Sequence, residues 1–304
     1  SSILSCVNYG DHVVTINNIY APANNFFDNY LKKKMNIEVT YVSGEDPLEF
    51  QKAIKDNTSL FYLESPSSAV FSILDLEKIA TIAKDHNIKT IIDNTWSTPY
   101  FQNPLSLGID IEVHSASKYL SGHSDIVAGL VASSEEVIKN IFLEEHAWLG
   151  GKISPFEAWL INRSLRTFTL RMEKHQENAL KVANFLEKHD CVESVSYPGL
   201  RSFNQYPLAI KQMNGFSGLM SFKLKTRNID KIKAFVNNLQ LFKLGVSWGG
   251  HESLVYAPVI SYLKELKPSQ FQAMGISPGD IRISVGLEHY RDLIDDLNNA
   301  LSVI

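Results

Sequence analysis

The 304-residue chain predicts an α/β fold built on a mostly parallel sheet, followed by a smaller α+β part. Three observations carry that expectation. Strand-like and helix-like segments alternate over about the first 130 residues, the pattern of parallel strands joined by crossover helices. Two short apolar runs end on residues that bear chemistry: Thr90-Ile91-Ile92 on Asp93, and Ile109 to Val113 on His114-Ser115-Ala116-Ser117-Lys118. Near residue 150 the alternation gives way to long helical periodicity.

Taken in order, Ser1 to Val7 reads as the middle of an amphipathic helix, with no initiator methionine and no cap before it, as in a chain entered partway through a domain. Gly10-Asp11 turns into a strand, His12 to Ile16, which Tyr20-Ala21-Pro22 breaks. Asn25 to Lys34 reads as helix, Glu38 to Val42 as strand, Leu48 to Ile54 as helix and Ser59 to Leu63 as strand. Behind the N-cap candidate Asp75, Leu76, Ile79, Ala80 and Ala83 recur at helical spacing. Gly150-Gly151 reads as a hinge, and Ser154-Pro155-Phe156-Glu157 combines a capping box with proline at the first helical position. Beyond it, Leu180, Ala183 and Leu186 mark a long helix. Strands at Gly218 to Leu224 and Ile281 to Val285 mix with helices at Ile229 to Asn238 and His289 to Ile304. The expected division is a large domain over 1–164 and an α+β domain over 165–304.

Composition narrows the function classes. Hydrophobic residues make up 44% and charged residues 20%, as in an ordinary globular chain. The net charge is −4 with the basic residues scattered, which argues against a nucleic-acid surface. No apolar run approaches the roughly 18 residues of a membrane span. Cys6 and Cys191 stand alone, so neither a disulfide framework nor a cysteine-based zinc site is indicated, and a reducing, cytoplasmic setting is expected. The nine histidines show no metal-ligand spacing, and neither GxGxxG nor a P-loop is present.

Each chemical candidate has a bland alternative. Lys118 is a solvated loop lysine or an amine held for covalent attachment, with Ser115 and Ser117 beside it to receive an anion. Asp93 is a turn former or a functional acid. Together, an acid and a lysine leaving successive strand ends 25 residues apart match the needs of pyridoxal phosphate. That cofactor takes a lysine at its aldehyde and an acid at its ring nitrogen, and such edges are where open α/β sheets bind ligands. His123-Ser124-Asp125 are sequence neighbours, which triad members rarely are, so they read as a loop. Tyr20 either packs or stacks on a planar ring. Arg282, inside an apolar strand, either points to solvent or clamps a carboxylate.

Asp93-Asn94-Thr95-Trp96, Thr98-Pro99-Tyr100, Ser115-Ala116-Ser117-Lys118-Tyr119 and Gly122-His123-Ser124-Asp125 resemble the pyridoxal-phosphate enzymes of cysteine and methionine metabolism. So do Gly10-Asp11-His12-Val13, Leu63-Glu64-Ser65-Pro66, Ser154-Pro155-Phe156 and the run from Arg282 to Glu288, in the family's order and over nearly the whole chain. The resemblance implies the aspartate-aminotransferase type I fold and a homotetramer built from dimers that share active sites. It also implies a phosphate-binding segment that would precede Ser1.

Carried over by position, Lys118 holds the cofactor covalently and Asp93 pairs with its ring nitrogen. Ser115 and Ser117 contact the phosphate, Tyr20 stacks on the ring, and Arg282 grips the substrate α-carboxylate. Lys118 and Tyr20 are the catalytic candidates. Ser247-Trp248-Gly249-Gly250 resembles the cystathionine β-lyases of the family, where γ-acting members more often carry leucine in place of the tryptophan and an acid in place of Val246. The implied reaction is β-elimination of L-cystathionine to homocysteine, pyruvate and ammonia. The alternatives are a γ-lyase or γ-synthase of the same family, and a non-catalytic remnant that keeps only the fold.

Overall fold

A computed structural model describes residues 1–68, 70–262 and 277–304, and the chain divides into two units. The first comprises Ser1–Ser117, Val127–Asn162 and Pro207–Gly215. Its sheet contains, among the described residues, β1 (His12–Ile16), β2 (Glu38–Val42), β3 (Thr58–Glu64), β4 (Lys89–Asp93), β5 (Ile111–Ser115) and β6 (Gly129–Ala132), in the spatial order β2-β1-β3-β4-β5-β6. All neighbours pair in parallel except β6, which runs against β5. The central strands are buried throughout: every residue of β1 is inaccessible, and β3 is buried from Leu60 onward. A strand covered on both faces reads as continuous apolar sequence rather than alternation, which is why β1 and β4 were legible as short runs of Val and Ile.

Helix α1 (Ala21–Asn25) continues through a wider turn (Phe26–Leu31) into Lys32–Met35, so the helix expected from Asn25 begins four residues earlier, at Ala21. Helix α2 (Leu76–Asp85) follows its predicted cap, Asp75, whose carboxylate accepts the Lys78 amide at 3.3 Å. It buries the four forecast residues, each Leu or Ile contributing about 1.5–3 kcal/mol. Helix α3 (Pro155–Leu165) carries the capping box, with Ser154 and Glu157 exchanging backbone-to-side-chain bonds at 3.2 Å.

Two expectations are corrected. The opening segment forms a single short turn, Leu4–Cys6, in which the Ser5 hydroxyl donates to the Ser2 carbonyl at 2.8 Å, a local bond that competes with a continued helix. The strand expected at Ile109 starts at Ile111, because the Asp110 carboxylate turns back to accept both the amide and the hydroxyl of Thr90 at 2.8 Å.

The second unit comprises Lys118–Ile126, Arg163–Tyr206 and Phe216–Ile304. Among the described residues its sheet holds β7 (Val192–Ser196), β8 (Leu219–Leu224), β9 (Lys243–Leu244), β10 (Leu254–Tyr256) and β11 (Asp280–Ser284), ordered β7-β8-β11-β10-β9. The pairing is antiparallel apart from β10 with β9. Helices α4 (Phe168–Glu187), α5 (Ile229–Asn238) and α6 (Tyr290–Leu301) pack with it. The Asn228 side chain caps α5 by accepting from Asp230 and Lys231. Buried Asp296 of α6 accepts three successive amides, Gln240, Leu241 and Phe242, at 2.7–3.2 Å.

Helix α4 is unusual in carrying polar residues on its buried side. Arg171, His175 and Asn178 lie four and three residues apart, hence on one face, beside Met172, Ala179 and Val182. His175 Nδ1 donates to the Val285 carbonyl at 2.8 Å, and Asn178 Nδ2 donates to the carbonyls of Gly286 and Glu288 at 2.9 and 2.7 Å.

Burial pushes the pKa of His175 from 6.5 down to about 4. Below pH 6.5 the unfolded chain takes up a proton that the folded one refuses. Stability is therefore fully present above 6.5 and falls toward pH 4, by on the order of 3 kcal/mol. Urea denaturation at pH 7 and pH 5 checks this: the wild-type midpoint should drop clearly more than that of His175→Asn, which keeps a donor for Val285 but does not titrate. Equal drops would remove His175 from the account.

Candidate active site

In the first unit the candidates sit at carboxyl ends of strands, as the sequence placed them. Asp93 ends β4 and is half-buried. It accepts the Thr95 amide at 2.9 Å and the Thr95 hydroxyl, both on Oδ1, so its Oδ2 edge is open to a further donor. The same Thr95 hydroxyl oxygen accepts the Ser115 amide at 2.8 Å, which links the end of β5 to the anchor of Asp93. Ser117 Oγ accepts the Ala128 amide at 2.9 Å. Its hydroxyl is thus already built into the turn toward β6, beyond what the sequence indicated. Tyr20 caps α1 and leaves its side chain 53% exposed.

In the second unit the structure gathers Lys118, Ser247, Trp248 and Arg282. Lys118 Nζ donates to Ser247 Oγ at 2.7 Å and lies 5.4 Å from the centre of the Trp248 indole, within cation–π range. Arg282 projects from β11 with its guanidinium over Tyr256, its register partner on β10, at 5.1 Å, and it donates to the Val246 carbonyl. Of the two readings of a strand-interior arginine, this one holds the cation beside the 246–248 segment.

Charge and burial set the reactivity of these groups. Burial raises the pKa of Asp93 despite the two bonds from Thr95. Desolvation, reinforced by the positive charge of Arg282, lowers that of Lys118 and enlarges the fraction of free amine near neutrality. A desolvated carboxylate gains most from a protonated ring nitrogen, and a desolvated amine is the form that attacks an aldehyde. Both groups therefore fit pyridoxal phosphate.

Several residues that hold this arrangement were missed. Arg171 is buried and donates to the carbonyls of Tyr119 (2.7 Å), Leu120 (3.3 Å) and Ser164 (3.1 Å), fixing the turn that leaves Lys118. That turn closes with the Gly122 amide donating to the Lys118 carbonyl at 2.8 Å. Tyr119 is buried against Trp248 and His175, with its hydroxyl accepting the Gly218 amide at 2.9 Å. The spacing of Arg171, His175 and Asn178 on an otherwise apolar helix face was a signal available in the sequence; nothing local marked Thr95 or Tyr119. Among the described residues no cluster could hold a metal ion, and no helix is long and apolar enough to cross a membrane.

Comparison with known proteins agrees with this chemistry. The model of the Cys/Met metabolism PLP-dependent enzyme family matches residues 1–302. L-methionine gamma-lyase of Treponema denticola is 41% identical over 304 residues, covering 99% of this chain and 75% of that protein. Cystathionine beta-lyase of Lactococcus lactis is 40% identical over 302 residues, covering 99% and 78%. Cystathionine gamma-lyase of Bacillus subtilis is 39% identical over 305 residues, covering 100% and 79%.

The closeness of Gly249 to Lys118 yields a test. Gly249 has φ +83°, and a Cβ there would stand 2.8 Å from the Tyr119 amide nitrogen and 3.2 Å from Lys118 Cα. Gly249→Ala should cost about 1–2 kcal/mol from the backbone conformation alone, with the clash in addition. The measurements are the thermal midpoint, expected several degrees lower, and pyridoxal-phosphate loading by visible absorbance, expected to fall in the folded fraction.

Proposed function

The chain belongs to the Cys/Met metabolism PLP-dependent enzyme family, whose members act on carbon–sulfur bonds, and from that premise we propose that it catalyses β-elimination of L-cystathionine to homocysteine, pyruvate and ammonia. The observation that carries the reading is the placement of the Lys118 amine between the Ser247 hydroxyl and the Trp248 indole.

When bound, pyridoxal phosphate supplies an electron sink that stabilises negative charge at the substrate Cα. In this reading Lys118 holds the cofactor through its amine, Asp93 keeps its ring nitrogen protonated, Ser115 and Ser117 contact its phosphate, and Tyr20 lies on its ring. Arg282 orients the substrate by its α-carboxylate, a bidentate task suited to guanidinium. Lys118, as free amine, takes the proton from Cα. Ser247 Oγ accepts a hydrogen bond from that amine and holds it in place, and Trp248, packed on Tyr119, limits its swing. A base restrained in this way serves one carbon. β-Elimination asks no more of it, because the sulfur leaves from the carbon adjacent to the deprotonated one, whereas γ-elimination requires a further proton to be moved at Cβ.

The 41% identity to a methionine γ-lyase favours a second reading, γ-elimination at the same site. Products separate the two. Full-length protein loaded with pyridoxal phosphate should convert L-cystathionine mainly to pyruvate and homocysteine. Dominant 2-oxobutyrate would overturn the β reading. Lys118→Ala should lower turnover by about 10²–10⁴-fold and abolish the visible absorbance of the attached cofactor.

Self-association is part of the proposal. The first unit leaves Phe142, Trp148, Leu149, Phe156 and Trp159 exposed, Trp148 to 82%, within eighteen residues of sequence. The family resemblance makes a second copy of this chain the occupant. Sedimentation should show a dimer or tetramer, and Trp148→Glu combined with Trp159→Glu should shift it toward monomer.

A further inference from the structure

Glu64 is a buried, ionisable residue with no part in the chemistry described above. It ends β3 at 4% exposure and uses both carboxylate oxygens: Oε2 accepts the Tyr20 amide and Oε1 the Ser68 amide, each at 2.6 Å. Because β1 and β3 are neighbours in the sheet, these two bonds tie the loop after β1 to the loop after β3. Tyr20 depends on this tie. Its side chain is largely exposed, so its position is set by the main chain: its amide on Glu64, and its carbonyl accepting from Ala23 and Asn24 at 2.9 and 3.1 Å.

Glu64 is also the register partner of Asp93 in the parallel pair β3–β4. Register partners share a face on strands about 4.8 Å apart, so two carboxyl groups stand side by side at the sheet edge.

We propose that Glu64 is a positioning residue for the cofactor, holding Tyr20 at the ring face through its main-chain amide. The inference rests on the reading that Tyr20 lies on the cofactor ring. The ionised carboxylate accepts both amides strongly, whereas protonation turns one oxygen into a donor and leaves it a weak acceptor. Burial and the charge of Asp93 raise the Glu64 pKa to about 7. The tie is therefore complete above pH 7 and loosens as pH falls through it. The other groups acting here are Tyr62 on β3, which faces both carboxyls, and His114 on β5, which acts on Asp93.

The test uses full-length protein, Glu64→Gln as a near-isosteric change, and Tyr20→Ala. Hydrogen–deuterium exchange of ligand-free protein, corrected for intrinsic rates, is followed over residues 17–25, together with equilibrium binding of pyridoxal phosphate. Glu64→Gln should keep the wild-type thermal midpoint, exchange faster over 17–25 and weaken cofactor binding by about tenfold, the scale of one lost charge-assisted bond. Wild type should show the same faster exchange on going from pH 8 to pH 6, and Glu64→Gln should not. Wild-type exchange or wild-type affinity in Glu64→Gln would overturn the positioning role, as would a pH response that persists in the variant. Tyr20→Ala separates the two ideas: unchanged cofactor affinity there, with faster exchange in Glu64→Gln, would sink the ring-stacking reading and leave the main-chain tie standing.

Discussion

The second unit depends on a stripe of three polar side chains on the buried face of α4. Arg171 satisfies the carbonyls of Tyr119 and Leu120 just after the candidate lysine, while His175 and Asn178 satisfy those of Val285, Gly286 and Glu288 just after the candidate arginine strand. A single rigid helix thus fixes the main chain next to both Lys118 and Arg282. Buried carbonyls must find donors, and meeting that demand from one helix determines where the two cations stand. The cost is a guanidinium and an imidazole removed from water, which lowers the pKa of both. Glycine at 122 follows from the same packing: a Cβ there would stand 1.9 Å from the Arg171 guanidinium, and φ is +64°.

In the first unit the corresponding constraint is parallel register. Leu63 pairs with Ile92, Glu64 with Asp93, and Asp93 with Val113. β3 and β4 therefore change from apolar to polar at the same level, while β5 still carries Val113 opposite Asp93 and turns polar one residue later, at His114. A slip of one residue would turn Asp93 and Glu64 to the opposite face. Behind the strand ends Asn94 donates to Glu112 Oε1 at 2.7 Å and Gln102 donates to Asn94 Oδ1 at 3.0 Å, while His114 Nε2 lies 2.6 Å from the same Glu112 oxygen. This buried network leaves the strand ends little freedom to re-register, because every member has a partner to lose.

The strand ends were legible because buried parallel strands are short apolar runs that stop where a polar residue begins. That logic placed Asp93 and Ser115 at strand ends, and it found the α2 stripe with its Asp75 cap. It failed where identity is set by distant partners. Ile109 is apolar enough for a strand, but Asp110 is committed to Thr90 across the sheet. Ser117 resembled a free hydroxyl, yet it is engaged by a residue eleven positions later. Arg282 was ambiguous between solvent and site, because only the pairing of β10 with β11 brings Tyr256 under its guanidinium. Tyr119 and Arg171 escaped notice because hydrophobic periodicity does not record which carbonyl a buried donor must reach.

The displaced pKa values of Asp93, Glu64 and Lys118 share a physical origin. Each is a charge partly removed from water, with burial the leading cause of its displacement, and the chain tolerates the cost where it carries its candidate chemistry. Had Asp93 faced a lysine of its own, its proton affinity would have been lowered and it would gain little from a cationic ring. Had Lys118 been paired with a carboxylate, it would be held as an ammonium and be a poor nucleophile. Arg282 serves the opposite role: its charge persists whatever its surroundings, so it can depress the Lys118 amine and still offer a fixed cation to a substrate carboxylate. Within the second unit, the amine with one permanent cation beside it is an electrostatic pattern that an aldehyde and an amino-acid carboxylate would complete.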